Sequence, residues 1–250
     1  MRKVSWLQHI NLFVRSLIFF IYMPLSASVW SIVCIVLSPL PLDKRYGIVI
    51  HWTTHMIWVL KVLCHVDYKL EGAENIPKNR NGVILCKHQS AWETFFVPGL
   101  FNGPSIILKR ELFWVPFFGW GLATVAPIAI NRKNTSSAME QIIKQGKMRL
   151  ESGRWVLVFP EGTRIAPGHV GKYRLGGARL AVATGYPVIP IAHNAGRFWS
   201  KRKFIKRPGT IRVVIGPLIE TVGRTPEDVL DEAKNWIEDT IVRIDKDWDK

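Results

Sequence analysis

The stretch CKHQSAWETFF, residues 86–96, sets His88 five positions ahead of Glu93. An imidazole is the side chain best suited to take a proton near neutral pH, and a carboxylate on its other ring nitrogen would hold the tautomer and stabilise the cation that forms. The same residues also have a local reading. Ser90-Ala91-Trp92-Glu93 has the S-x-x-E form of a capping box, in which the serine caps a helix and the glutamate bonds back to the serine amide. Five residues of regular helix turn through roughly 500°, so His88 and Glu93 can meet only if His88 lies in the bend before the helix. The two readings are compatible, because a helix start can be what brings the pair together.

Three further stretches carry chemistry. WVLVFPEGTR, residues 155–164, is an apolar strand running into a loop: Pro160 fixes the exit angle, Gly162 permits tight backbone geometry, and Glu161 and Arg164 stand at the strand's carboxyl end, where α/β sheets bind ligands. Ala129-Ile130-Asn131-Arg132 places another arginine just past a strand, where its guanidinium can hold a phosphate by two parallel hydrogen bonds. Lys109-Arg110-Glu111-Leu112 leads into the aromatic run 113–120, which suits either a core or the lining of an acyl-chain groove. No Gly-x-Ser-x-Gly nucleophile turn occurs, which argues against a serine hydrolase.

An α/β domain must position these residues. Short apolar runs predict strands at 66–70, 82–86, 105–108, 126–130, 155–159, 188–192 and 211–215. Helices are predicted after Ser90, over 137–151 with Ser137-Ala138-Met139-Glu140 as a second capping box, and over 175–184. A last helix follows Thr225 as cap and Pro226 as first residue, with Val229, Ala233, Trp236, Ile237, Ile241 and Ile244 at helical spacing; it reads as scaffold. One domain boundary is expected near residue 65, separating 1–65 from 66–250.

Composition narrows the partners. The chain of 250 residues is 48% hydrophobic, with 34 Lys and Arg against 19 Asp and Glu, a formal charge of +15. Such a balance points to a polyanion, either nucleic acid or an anionic membrane surface. Eleven tryptophans favour the lipid interface, where an amphipathic ring has one wet and one dry side. Residues 16–42 form 27 positions without a formal charge, interrupted early by Pro24 and ended by Pro39 and Pro41. A second apolar segment, 46–63, contains His51, His55 and Lys61 and reads as an interfacial helix. Basic residues flank both segments, Arg2, Lys3 and Arg15 on one side and Lys44 and Arg45 on the other. A re-entrant or interface-lying helical pair, with both ends on the cytoplasmic side, fits that symmetry better than a translocated loop. The cluster Arg197, Lys201, Arg202, Lys203, Lys206 and Arg207, interleaved with Phe198, Trp199 and Phe204, is expected to add to anionic-membrane binding. No nucleic-acid module is recognisable, so the membrane is the expected partner. The three cysteines, Cys34, Cys64 and Cys86, have no metal-ligand spacing, and no metal site is expected.

Taken in order, the motifs resemble the 1-acylglycerol-3-phosphate acyltransferases. That family's signature runs His-x-x-x-x-Asp, an arginine-bearing segment, Phe-Pro-Glu-Gly-Thr-Arg, and an apolar segment with a proline. The matching residues are His88 to Glu93, Ile130-Asn131-Arg132, Phe159-Pro160-Glu161-Gly162-Thr163-Arg164, and Val188-Ile189-Pro190-Ile191. Glutamate stands at 93 where the family has aspartate. The resemblance implies a mixed sheet flanked by helices, with an N-terminal hydrophobic helical pair. It implies transfer of an acyl chain from a thioester to the free hydroxyl of a lysophospholipid, most directly lysophosphatidic acid, with His88 as base and Glu93 as its partner. Arg132, Glu161, Gly162, Thr163 and Arg164, together with Lys109, are assigned to substrate binding. No dissociable cofactor is required. The acyl donor, acyl-CoA or an acyl carrier protein thioester, is a co-substrate. The enzyme is expected at the cell membrane with its site facing the cytoplasm.

Overall fold

A computed structural model describes residues 5–131 and 135–246, with the side chains of 135–137 left aside. Two helices open the chain, α1 (Trp6–Val36) and α2 (Leu42–Cys64). Ser5 starts α1 through a capping box that sequence reading missed: its hydroxyl accepts from the Gln8 N–H at 3.3 Å, and Gln8 Oε1 accepts from the Ser5 N–H at 2.8 Å. Pro24 does not interrupt the helix as expected. Its missing N–H removes one bond, the one to the Phe20 carbonyl, and the rest of the ladder carries the helix through. The two helices run antiparallel. Tyr22 Oη lies 2.6 Å from His55 Nε2, and Trp52 Nε1 donates to Ser26 Oγ at 3.3 Å.

All seven expected strands form: β1 (Val66–Glu71), β2 (Val83–Cys86), β3 (Ser105–Lys109), β4 (Ile128–Ile130), β5 (Val156–Val158), β6 (Val188–His193) and β7 (Gly209–Ile215). They make one mixed sheet in the order β1-β7-β6-β2-β5-β3-β4, parallel at every junction except β6 with β7. The remaining helices are α3 (Trp92–Leu100), α4 (Phe118–Ala123), α5 (Thr135–Glu151), α6 (Gly176–Thr184) and α7 (Pro226–Lys246). The start of α5 at Thr135 corrects the expected cap at Ser137, which lies inside the helix. Thr225 caps α7 as expected, accepting from the Asp228 N–H at 3.2 Å.

Strand alternation divides the core into two layers. Ile84 and Cys86 face Met56 and Leu60 of α2 and Trp92 and Phe96 of α3. Val83 and Leu85 face Ile142 of α5, Leu180 of α6 and Ile237 of α7. The parallel block β6-β2-β5-β3-β4 brings five strand ends to one edge of the sheet; His88, Lys109, Asn131 and the Pro160–Arg164 loop stand at or just past the ends of β2, β3, β4 and β5, and the Val188–Ile191 motif lies within β6.

Candidate active site

His88 sits two residues beyond β2, in the bend before α3, as the angular argument requires. Its Nδ1 lies 2.8 Å from Glu93 Oε1. The Glu93 side chain is fully buried, and the same oxygen accepts the Gln89 and Ser90 N–H groups at 3.0 and 2.9 Å. Burial alone would push this carboxyl up. The neighbouring His193 imidazole, the His88 hydrogen bond and charge, and the Ser90 N–H outweigh it and hold Glu93 below the usual carboxylate range. An ionised Glu93 keeps the proton on His88 Nδ1 and leaves Nε2 as the nitrogen with a lone pair.

The capping box forms by half. Glu93 reaches back to Ser90 N–H, but Ser90 Oγ accepts from Trp92 N–H at 3.2 Å and donates to the Trp199 carbonyl at 2.7 Å. Ser90 thus ties the start of α3 to the segment after β6.

The Pro160–Arg164 loop after β5 grips His88 from both sides. The His88 N–H donates to Glu161 Oε2 at 2.7 Å, and the Ile165 N–H donates to the His88 carbonyl at 2.8 Å. Phe159 stacks on the imidazole with ring centroids 4.2 Å apart. Gly162, at φ +67, supplies the left-handed turn that reverses the loop.

A cleft of about 370 Å³ opens beside this arrangement. His88 and Arg164 line it with Lys109, while Trp52, Phe95, Leu112, Phe118 and Leu122 make its long wall apolar. Such a shape fits an amphipathic ligand with an anionic end. Lys109 is exposed at the end of β3, and the Arg164 guanidinium has no hydrogen-bond partner among the described residues. Among those residues, no three His, Cys, Asp or Glu side chains converge to hold a metal ion.

Residues 67–194 match the sequence profile described as Acyltransferase. A 1-acyl-sn-glycerol-3-phosphate acyltransferase of Pseudomonas aeruginosa is 46% identical over 236 residues, spanning 92% of this chain and 91% of that protein. The chain belongs to the 1-acylglycerol-3-phosphate acyltransferase family. A 1-acyl-sn-glycerol-3-phosphate acyltransferase of Cocos nucifera is 28% identical over 83% of this chain and 67% of its own. The fold is similar to the crystal structure of the 1-acyl-sn-glycerophosphate (LPA) acyltransferase of Thermotoga maritima, with TM-score 0.79 at 22% identity, over 95% of this chain and 97% of that one.

Within this acyltransferase the structure corrects the place of Glu161. Its side chain is fully buried, ion-paired with Lys87 Nζ at 2.7 Å and bonded to His88 N–H, so it faces the protein rather than a phosphate. Thr163 is exposed, and its hydroxyl accepts from Lys201 Nζ at 2.9 Å. Lys201 also donates to the Arg164 carbonyl at 3.1 Å, pinning the loop from outside. Arg132 lies outside the described residues; Asn131 before it follows β4.

The basic cluster is also corrected. Arg197 makes a two-pronged ion pair with Asp245 at 2.9 and 2.8 Å. Lys206 is buried against the rings of Phe19, Trp199 and Phe204, and that burial lowers its pKa. Phe198 and Trp199 are buried too, and Phe204 packs on Phe13 and Phe20 of α1. These aromatics anchor a helix, leaving Arg202, Lys203 and Arg207 as the exposed cations.

Sequence reading passed over Lys87 and His193. Burial pushes the His193 pKa down. With Nε2 2.8 Å from the Lys87 carbonyl and Nδ1 accepting the Ala195 N–H at 3.2 Å, the ring braces the end of β2 against β6. A histidine ending a fully buried strand, VIPIAH, was the available signal.

Proposed function

We propose that this acyltransferase moves an acyl chain from a thioester, carried by coenzyme A or an acyl carrier protein, to the free hydroxyl of lysophosphatidic acid, giving phosphatidic acid for phospholipid synthesis. The observation that carries the reading is the pairing of buried Glu93 with His88, which lines a cleft walled largely by apolar side chains and made cationic by Lys109 and Arg164. His88 Nε2 takes the hydroxyl proton as the oxygen attacks the thioester carbonyl. Glu93 stabilises the imidazolium, the C–S bond breaks, and the thiolate leaves with the proton His88 returns. Cys86 supports direct transfer over a thiol acyl-enzyme: it is fully buried, and burial, then the charges of Glu93 and Glu161, push its pKa well up. Arg164 and Lys109 hold the acceptor's phosphate, and Arg132 is assigned there by its motif. Assay of the purified protein against a panel of lysolipids with both donor types tests the reading.

Arg164→Ala is expected to raise the acceptor KM by about 10- to 100-fold, the worth of a charge-assisted contact at ~1.5–3 kcal/mol. The donor KM should hold. Steady-state kinetics varying each substrate in turn checks this, and a change confined to the donor KM contradicts the phosphate assignment. Arg164→Lys should recover only part, since an ammonium lacks the two-pronged geometry.

The membrane reading rests on the outer face of α1, where Phe13, Ile18, Ile21, Leu25, Val29 and Ile32 are exposed along the helix, and on the exposed rings of Trp114 and Trp120. Both helices are long and apolar enough to span, with mean hydropathy 2.0 and 1.3. The inner face of α1 packs into the sheet's own core through Phe19, which favours a pair lying in the cytoplasmic leaflet, with Lys44 exposed toward its headgroups and Arg45 turned inward to the Thr124 carbonyl. The double substitution Ile21→Glu, Leu25→Glu is expected to abolish co-sedimentation with anionic vesicles without lowering the melting temperature. Retained co-sedimentation would place the membrane contact elsewhere.

A further inference from the structure

The alternation of β2 turns Lys87 away from Cys86 and His88, to the face where α6 and α7 pack. Its ammonium is fully buried there, 2.7 Å from Glu161 Oε1 and 2.7 Å from Glu238 Oε1 on α7. Glu238 Oε1 also accepts the Tyr173 hydroxyl at 2.7 Å, and the Tyr173 ring lies 5.7 Å from the ammonium. Glu161 Oε2 in turn accepts the His88 N–H at 2.7 Å. An unbroken chain of charged contacts therefore runs from the C-terminal helix to the backbone of His88.

Packing alone does not call for this chain. Helix α7 already buries Val229, Ala233, Ile237 and Ile241 against the sheet, and an apolar residue at 87 would avoid the desolvation of an ammonium. What the charges add is position. With Glu161 held by Lys87, and Lys87 by Glu238, the loop that grips both ends of the His88 peptide unit cannot slide along the strand ends.

We propose that Lys87 and Glu238 are positioning residues for acyl transfer, through which α7 holds the His88 backbone in register with Glu93. The proposal rests on His88 acting as the base. Groups facing His88 are Glu93 from α3, Glu161 and Arg164 from the loop after β5, Lys109 from β3, His193 from β6, and Lys87 beside it, with Glu238 behind Lys87. Removing the Glu238 charge from this set favours protonated His88 less.

The test compares the full-length variants Glu238→Gln, Tyr173→Phe and His88→Ala. Glu238→Gln keeps the shape and is expected to lower kcat by about 10- to 100-fold, the scale of an ångström misplacement, and to move the acid limb of the pH–rate profile to lower pH. Tyr173→Phe removes a hydrogen bond from the same carboxylate without removing charge; it should leave the acid limb in place. If Glu238→Gln does not fold, Glu238→Asp, which retains the charge on a shorter arm, should lower kcat with the acid limb unmoved. Wild-type kcat in the folded Glu238 variant, or an acid limb that moves equally in Tyr173→Phe, overturns the proposal. Full turnover by His88→Ala would instead remove the reading of His88 as base, whatever the Glu238 variants do.

Discussion

Glu93→Gln is expected to lower kcat by about 10²–10³-fold while the melting temperature stays nearly unchanged. The Gln89 and Ser90 N–H groups both point at Oε1, so a glutamine must place its carbonyl oxygen there and its NH₂ where Oε2 stood, 3.8 Å from His193 Nε2. The start of α3 keeps its bonds, and His88 Nδ1 keeps an acceptor. Only the negative charge is lost. Two unit charges ~4 Å apart interact by about 4 kcal/mol in a partly screened protein site, and that stabilisation of the imidazolium disappears. At 1.36 kcal/mol per tenfold, the rate falls by up to three orders. Glu93→Asp should keep substantial activity because it keeps the charge. Turnover of the Gln variant, with its fold checked by circular dichroism, decides the matter; a near-normal kcat would reduce Glu93 to a helix cap.

His88→Ala is expected to lose the full worth of a general base, about 10²–10⁴-fold in kcat. The substitution should leave KM values close to normal, because the apolar wall, Lys109 and Arg164 remain in place. Combining it with Glu93→Gln should add little, since the two groups act as one unit and the second has nothing left to stabilise. A double variant slower than His88→Ala by the full Glu93→Gln factor would show that Glu93 works on something other than His88.

Much of this arrangement was legible in the sequence, and the reason differs by element. The strands were legible because buried runs such as VILC and VIPIAH are continuous and apolar, as strands covered on both faces must be. For His88 and Glu93, helix geometry set the condition, a bend before the helix, and the resemblance supplied the pairing. The inward turn of Glu161 did not, because Gly162 reverses the loop and a motif does not say which way its side chains face. The contact of Lys87 with Glu238 joins residues 151 positions apart, and a lysine beside a histidine gave no hint of its partner. The basic cluster misled for a similar reason: its aromatics read as surface, but α1 covers Trp199 and Phe204, and Phe198 is buried in the core.

The central claim is direct acyl transfer to an alcohol, and product analysis tests it most directly. Purified protein is incubated with acyl-CoA or acyl carrier protein thioester, with and without lysophosphatidic acid, while thiol, free fatty acid and phosphatidic acid are counted. The expected result is one thiol released for each phosphatidic acid formed, with negligible thiol or fatty acid when the acceptor is omitted. Fatty acid released at the full rate without acceptor, or thiol released with no phosphatidic acid, would contradict the account.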